Sequence, residues 1–306
     1  MSDHKEAKSF SRFGYIMVAA GAAIGLGNIW KFPYLAYGDG GGAFVLIYIV
    51  ICILLGHPIV QAEQAVGRRG RASAAASYGV IHPKWRFVGV INIVCTFLID
   101  IYYLVVSGWV LKYFVTYVVS GDFGKDKQAY FDNYISSTTQ PLIHSLVIIA
   151  IIVFFLFFGI TNIVEKASKV IMPMLAVLLL VCGIYALIVV PGAVDGLKYY
   201  FVPDFSKFGM QQFADACMQV CFSVGIGWGI FTTLGASMDK DANLKADAWW
   251  VDICDTFIAL LAGFVIIPTV VGTGSEMSSG PSLVFVAMTQ IFETLPGGRM
   301  IGIFFF

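Results

Sequence analysis

The chain has 306 residues, 58% of them hydrophobic and 12% charged, with 26 Phe and a formal net charge of zero. A soluble domain of that make-up exposes too much apolar surface, so the chain reads as an integral membrane protein. No basic face or polybasic tail is present, which leaves nucleic acid out of the partner list. The six Cys sit in apolar segments without CxxC or Cys/His metal spacing and predict neither a disulfide nor a metal cluster.

The polar, basic start MSDHKEAKSFSRF is read as a cytoplasmic tail over residues 1–12 rather than a removable signal peptide. The apolar run after it is long, lacks an A-x-A cleavage site and is followed by further spans. Runs of roughly 20 apolar residues, enough to cross the hydrocarbon core, fall at about 13–36, 43–67, 88–120, 142–160, 168–190, 211–237 and 247–272. They predict seven helices of a single transmembrane domain over residues 1–306. An eighth begins at GRMIGIFFF, where the sequence stops. A half-span ending on Phe304, Phe305 and Phe306 leaves terminal carbonyls unsatisfied in lipid, so a part of a longer protein is expected. A cytoplasmic N-terminus puts twelve of the 19 Lys and Arg inside, among them Lys5, Lys8, Arg68, Arg69, Arg71 and Lys240, which favours that orientation. The long connections after the third, fifth and seventh spans then lie outside. The last of them holds a helix-like piece, PSLVFVAMTQIFETL, placed to fold over an outward-facing vestibule.

Two spans contain glycines where a membrane helix should not be interrupted. Residues 20–33 read AGAAIGLGNIWKFP, and Val224 to Phe231 read VGIGWGIF, five spans later. Gly costs about 1 kcal/mol relative to Ala in a helix interior, and backbone released in hydrocarbon must find partners or line a cavity. Close packing by small residues explains one such patch. Two at corresponding positions point to a transporter's binding site, built where broken helices of an inverted repeat face each other. Carbonyls freed near Ala22 to Gly27 suit a hard cation, and the half-helix that follows aims its positive end at an anion.

These residues resemble the neurotransmitter:sodium symporter family, its bacterial amino-acid branch in particular. The resemblance rests on GAAIGLGNIWKFPYLAYGDGGGAF (Gly21 to Phe44), PIVQAEQAVGR, YYLVVSGW, FSVGIGWG and DTFIALLAGF, and it covers essentially the whole chain. It implies an all-α, leucine-transporter-type inverted repeat of twelve helices with broken helices 1 and 6. The chain here carries spans 1 to 7 and the start of the eighth. By residue-for-residue likeness, the Ala23 carbonyl, Asn28, Ser223 and Asp255 surround a first sodium with the substrate's carboxylate. Gly21 and Ile24 carbonyls take part in a second, whose remaining ligands belong to the family's eighth helix.

The same resemblance gives the amides of Leu26 and Gly27 and the Tyr103 hydroxyl to the substrate carboxylate. It gives the carbonyls of Ala22, Phe222 and Ser223 to its ammonium, and Ile99, Phe222, Gly225 and Trp228 to its side chain. Monoamine carriers place an Asp where this chain has Gly25, so a substrate bearing its own carboxylate fits better. Asp255 replaces the usual Asn and supplies fixed negative charge, while Ala259 replaces a Ser near the chloride of chloride-dependent relatives; chloride independence is expected. Glu63 resembles the acid that supports the broken sixth helix. Lys31 stands for the usual gate Arg without its bidentate fork, and Gln219 is placed to brace the vestibule. Asp100 and Asp39 receive no role, and the scattered His residues form no cluster.

The function implied is sodium-coupled uptake of an amino acid, of hydrophobic side chain, by alternating access, with Na⁺ as the co-transported ion and no organic cofactor. The amino acid and the bilayer are its partners, and a bacterial inner membrane is its location. The alternative is a truncated, non-transporting membrane fragment or amino-acid sensor. A sodium-independent exchanger is disfavoured by Asn28 and Asp255, and an enzyme by the lack of a nucleophile paired with a base.

Overall fold

The computed structural model describes residues 10–157, 160–239, 241–274, 280–294 and 296–306. The expectations placed on residues 1–9 with Lys5 and Lys8, on Lys240 and on 275–279 of the last long connection lie outside the described residues. Over the described residues each of the seven expected spans is built of helix, the first and the sixth with a break.

The first span opens where Ser11 caps α1 (Arg12–Ala23) by accepting from the Gly14 amide, and the helix stops at Ile24, whose backbone is extended (φ −66, ψ 112). A π-helical turn, Gly27–Lys31, then leads into α2 (Phe32–Gly38). The two halves meet at 59°. In the second span α3 (Gly42–Ile51) passes through another π-helical turn, Cys52–Gly56, into α4 (His57–Gly70). Both turns have one cause. A proline follows each by two residues, Pro33 and Pro58; it lacks an N–H and its ring pushes on the carbonyl four residues back. The residue before each proline answers by reaching one carbonyl further, Phe32 to Gly27 and His57 to Cys52.

A short α5 (Ala74–Ile81) leads to α6 (Arg86–Val119), and α7 (Lys127–Ser136) meets α8 (Thr139–Phe157) at a bend of 78°. After α9 (Ile160–Val189) and α10 (Ala193–Phe201), the expected sixth span is carried by two short helices, α11 (Met210–Val224) and α12 (Ile230–Ala236). The seventh is the long α13 (Leu244–Thr273). Beyond it come a π-helical turn Leu283–Met288, α14 (Thr289–Thr294) and α15 (Gly298–Phe305). By length and apolar content among the described residues, four helices are able to cross a bilayer singly, and up to six do so if each bent pair is one span.

The spine is α13, packed on α1, α2, α4, α9 and α10. Its neighbours close in through small residues: a methyl group on Gly263 would collide with the Tyr200 ring, and one on Gly235 would lie 2.5 Å from the Gln64 carbonyl. At the end of the bundle that holds the N-terminus, Arg12 pairs with the buried Asp247 at 2.9 Å. There too Arg68 donates to the Ala242 carbonyl at 2.7 Å, tying the α12–α13 connection to α4. At the opposite end the expected helix-like piece is helical over Leu283–Thr294. Its Phe285 stacks on Phe131 of α7 at 5.3 Å and touches Trp109 and Tyr113 of α6.

Candidate functional site

Both glycine-bearing spans are broken, and each break releases particular backbone groups. In an unbroken helix the Gly25 amide would bond the Gly21 carbonyl four residues back. It donates instead to Asn28 Oδ1 at 3.0 Å, so Gly21 loses its helical donor. The break is narrower than the expected Ala22 to Gly27, because Ala22 and Ala23 remain in α1 and Gly27 already begins the π-helical turn. At the second break Gly225, Gly227 and Gly229 all take positive φ (77, 81 and 72), a region open to Gly at little cost. The Ile226 amide turns back to Cys221 at 3.1 Å rather than to Phe222. The Gly227 amide leaves Ser223 for Glu63 Oε1 at 2.8 Å. Phe222 and Ser223 thus have carbonyls without their helical donors.

Between the breaks sits a sealed polar cluster. Asn28 Nδ2 donates to Asp255 Oδ1 at 2.8 Å, to the Asp255 carbonyl at 3.1 Å and to Ser223 Oγ at 2.9 Å. Ser223 Oγ donates to Asp255 Oδ2 at 2.9 Å. Asn28 and Asp255 are wholly buried and Ser223 nearly so. A carboxylate so far from water is costly unless paired with a cation or fully hydrogen-bonded. Tyr48 of α3 completes the group, its hydroxyl 3.4 Å from Ser223 Oγ and 3.5 Å from Asp255 Oδ2. Nothing in the sequence near Tyr48 singles it out among 14 Tyr.

The remaining expected residues fall around this cluster. A methyl on Gly27 would lie 2.7 Å from the Phe222 ring, so Gly27 is where the two breaks touch. Phe222 meets Trp228 edge-on at 5.6 Å. A methyl on Gly225 would come 3.6 Å from the Trp228 indole, and one on Gly25 would be 3.3 Å from the Tyr103 hydroxyl and 3.9 Å from the Ala23 carbonyl. Ile99 stands one turn before Tyr103 on the same face of α6. A cavity of about 640 Å³ opens beside the first break, lined by Gly25, Leu26, Ile29 and Tyr103 and reaching Phe304 to Phe306. Ile24 is buried at the break itself, and Gly21 faces Met172 of α9.

Of the three supporting residues, Gln219 donates to the Gly27 carbonyl at 3.1 Å and so braces the first break from α11. Glu63 holds the second break. Lys31 lies over the Phe222 ring, 4.4 Å from its centroid, rather than snorkelling away from the site. Asp100 is exposed on α6 outside the cluster, and Asp39 ends α2. Sequence reasoning missed two further groups on α6. The Asn92 carboxamide, in the orientation that satisfies both its ends, donates to the Gly227 carbonyl at 2.9 Å. The Thr96 hydroxyl donates to the Trp228 carbonyl. Their only signal is a four-residue spacing on a helix face, which is common in any span.

Four likenesses bear on this arrangement. The model of the sodium:neurotransmitter symporter family matches residues 7–122 and 128–306. An uncharacterized sodium-dependent transporter of Haemophilus influenzae is 33% identical over 311 residues, covering 97% of this chain and 68% of that protein. The uncharacterized sodium-dependent transporter YhdH of Bacillus subtilis is 34% identical over 305 residues, covering 98% and 67%. The crystal structure of MhsT in complex with L-phenylalanine superposes with a TM-score of 0.90 at 34% identity, covering 98% of this chain and 69% of that one. The chain therefore spans about two thirds of the length of each.

Proposed function

The chain belongs to the sodium:neurotransmitter symporter family and has the leucine-transporter-type fold with helices 1 and 6 broken, and from that premise we propose that it carries out sodium-coupled symport of an amino acid with a hydrophobic side chain, independent of chloride. The observation that carries this reading is the Asn28, Ser223 and Asp255 cluster, which joins the two breaks through one buried carboxylate.

Its chemistry suits Na⁺, which takes oxygen ligands and compensates a buried negative charge. Asn28 Oδ1 is already an acceptor from Gly25, but a carbonyl oxygen has a second lone pair. The Ala23 carbonyl lies at the same break, 3.9 Å from a methyl built on Gly25. Gly21 and Ile24 are assigned to a second sodium, and the donor-free Gly21 carbonyl supports that role. For the amino acid, the amides of Leu26 and Gly27 with the Tyr103 hydroxyl take the carboxylate. The carbonyls of Ala22, Phe222 and Ser223 take the ammonium, and Phe222 and Ser223 have lost the amides that would compete. Ile99, Phe222, Gly225 and Trp228 give an apolar, aromatic wall for the side chain. MhsT holds L-phenylalanine in its crystal structure, which agrees with such a wall.

Coupling follows from shared charge: a substrate carboxylate that completes the sodium shell raises sodium affinity by the factor by which sodium raises its own. Fixed charge at Asp255, with Ala259 buried one turn on, removes the need for a bound anion. The N-terminus is assigned to the cytoplasm, the side where Arg68, Arg69, Arg71, Lys84 and Arg86 gather.

Calorimetric binding of a panel of neutral amino acids, with sodium replaced by potassium and chloride by gluconate, tests this reading. Binding is expected to require sodium and to ignore chloride, and Asp255→Ala is expected to weaken sodium-dependent binding at least about 100-fold, the consequence of removing one partner from a buried charged cluster. Binding indifferent to sodium, or an unchanged sodium requirement in Asp255→Ala, overturns it.

A further inference from the structure

The five-residue second break has little conformational preference of its own. Three of its residues are glycines at positive φ, and glycine loses more freedom on being fixed than any other residue. Yet it carries Trp228, whose indole meets the Phe222 ring at 5.6 Å with the planes 77° apart. Something outside the segment must set where that indole stands.

We propose that Asn92 and Thr96 of α6 are positioning residues that set substrate selectivity: they clamp the carbonyls of Gly227 and Trp228 and thereby fix the Trp228 indole as a wall of the amino-acid side-chain pocket. The two residues are one helical turn apart and face the break together. Asn92, 5% exposed, donates to the Gly227 carbonyl at 2.9 Å. Gly229 closes the register, since a methyl there would lie 3.1 Å from Ala74 Cβ and 3.2 Å from Asn92 Cβ. The segment therefore lies flat on α5 and α6 at this point.

Thr96 has one hydroxyl proton and two carbonyls within reach, its own helix's Asn92 carbonyl at 2.9 Å and that of Trp228. A threonine in a helix ordinarily spends that proton on the carbonyl four residues back. Here the Trp228 oxygen is offered to it as well. With Glu63 on the Gly227 amide, the Gly227 peptide neighbourhood is held from α4 on one side and from α6 on the other. Asn92 and Thr96 need not touch the substrate. They act through Trp228, by denying its indole the swing that would enlarge the pocket.

The inference rests on the amino-acid reading of the site. Its test compares equilibrium binding of L-alanine, L-leucine, L-phenylalanine and L-tryptophan, and the sodium concentration at half-saturation, in the unaltered protein, Thr96→Val and Thr96→Ser. Thr96→Val keeps the shape and removes the proton. It is expected to shift relative affinity toward L-tryptophan over L-alanine by about three- to tenfold, the effect of one net hydrogen bond. The sodium half-saturation is expected to stay within about twofold, and Thr96→Ser to restore the original ratio. Asn92→Ser, which withdraws the donor to Gly227, is expected to shift the ratio the same way, and it decides the matter should Thr96→Val fail to accumulate. Unchanged ratios, a shift the opposite way, a parallel loss of sodium and of every amino acid, or no rescue by serine overturns the clamp. Failure of the unaltered protein to bind any of the four with sodium overturns the functional reading instead.

Discussion

At the first break the chain leaves the helix at Ile24, and neither Gly25 nor Gly27 takes a positive φ. The amide released there is satisfied three residues later by Asn28. At the second break three glycines take positive φ within five residues, and the supporting donors and acceptors come from α4 and α6, more than 130 positions away. Glycine thus serves different ends at the two places. Gly27 is small so that the Phe222 ring can lie against the backbone. Gly225, Gly227 and Gly229 are glycine because other residues resist that conformation. The first break carries its own cap, and the same Asn28 joins it to Ser223 and Asp255; the second is a pliable strip made definite by its scaffold.

Substitutions at the two breaks separate these accounts. Gly229→Ala is expected to be the most damaging: left-handed strain of about 1–2 kcal/mol adds to crowding against Ala74 and Asn92, for a total loss of about 2–4 kcal/mol. Thermal unfolding in detergent reads it, and a loss below about 1 kcal/mol would mean the segment bends freely. Glu63→Ala comes next, at about 1–3 kcal/mol for a buried amide left without an acceptor. Glu63→Gln keeps an acceptor for Gly227 and is expected to recover most of that. Equal damage from both Glu63 variants would assign Glu63 a role in charge rather than in holding the amide. Gly25→Ala is expected to be mildest, within about 1 kcal/mol, since its φ is not positive and the new methyl comes no nearer than 3.3 Å to the Tyr103 hydroxyl and 3.9 Å to the Ala23 carbonyl. Should Gly25→Ala destabilise as much as Gly229→Ala, the contrast between the breaks collapses.

The sequence made both interruptions legible because membrane helices advertise themselves by apolar length, and a glycine pair in the middle of such a run stands out locally. Asn28, Ser223 and Asp255 were legible only through resemblance, because nothing in three separate spans says that they meet. The sixth span shows the limit of hydropathy: a single apolar run over 211–237 becomes α11 and α12, and only the glycines inside that run mark the break. Glu63 accepts from the Gly227 amide at the second break, a backbone partner that no side-chain pattern marks.

By itself, then, the sequence determined that this chain lives in a bilayer, where its helices run and where two of them give way, since each of these depends on the chemistry of neighbouring residues. The π-helical turns before Pro33 and Pro58 belong to the same class, a proline's effect reaching only one turn back. Tertiary structure alone decided which groups answer the freed backbone. Tyr48 beside Asp255, Gln219 on Gly27, and Asn92 with Thr96 on the second break are pairings across helices. A hydrogen bond between spans depends on how those spans rotate and cross, and that is fixed by the packing of small residues such as Gly235 and Gly263 over the whole bundle.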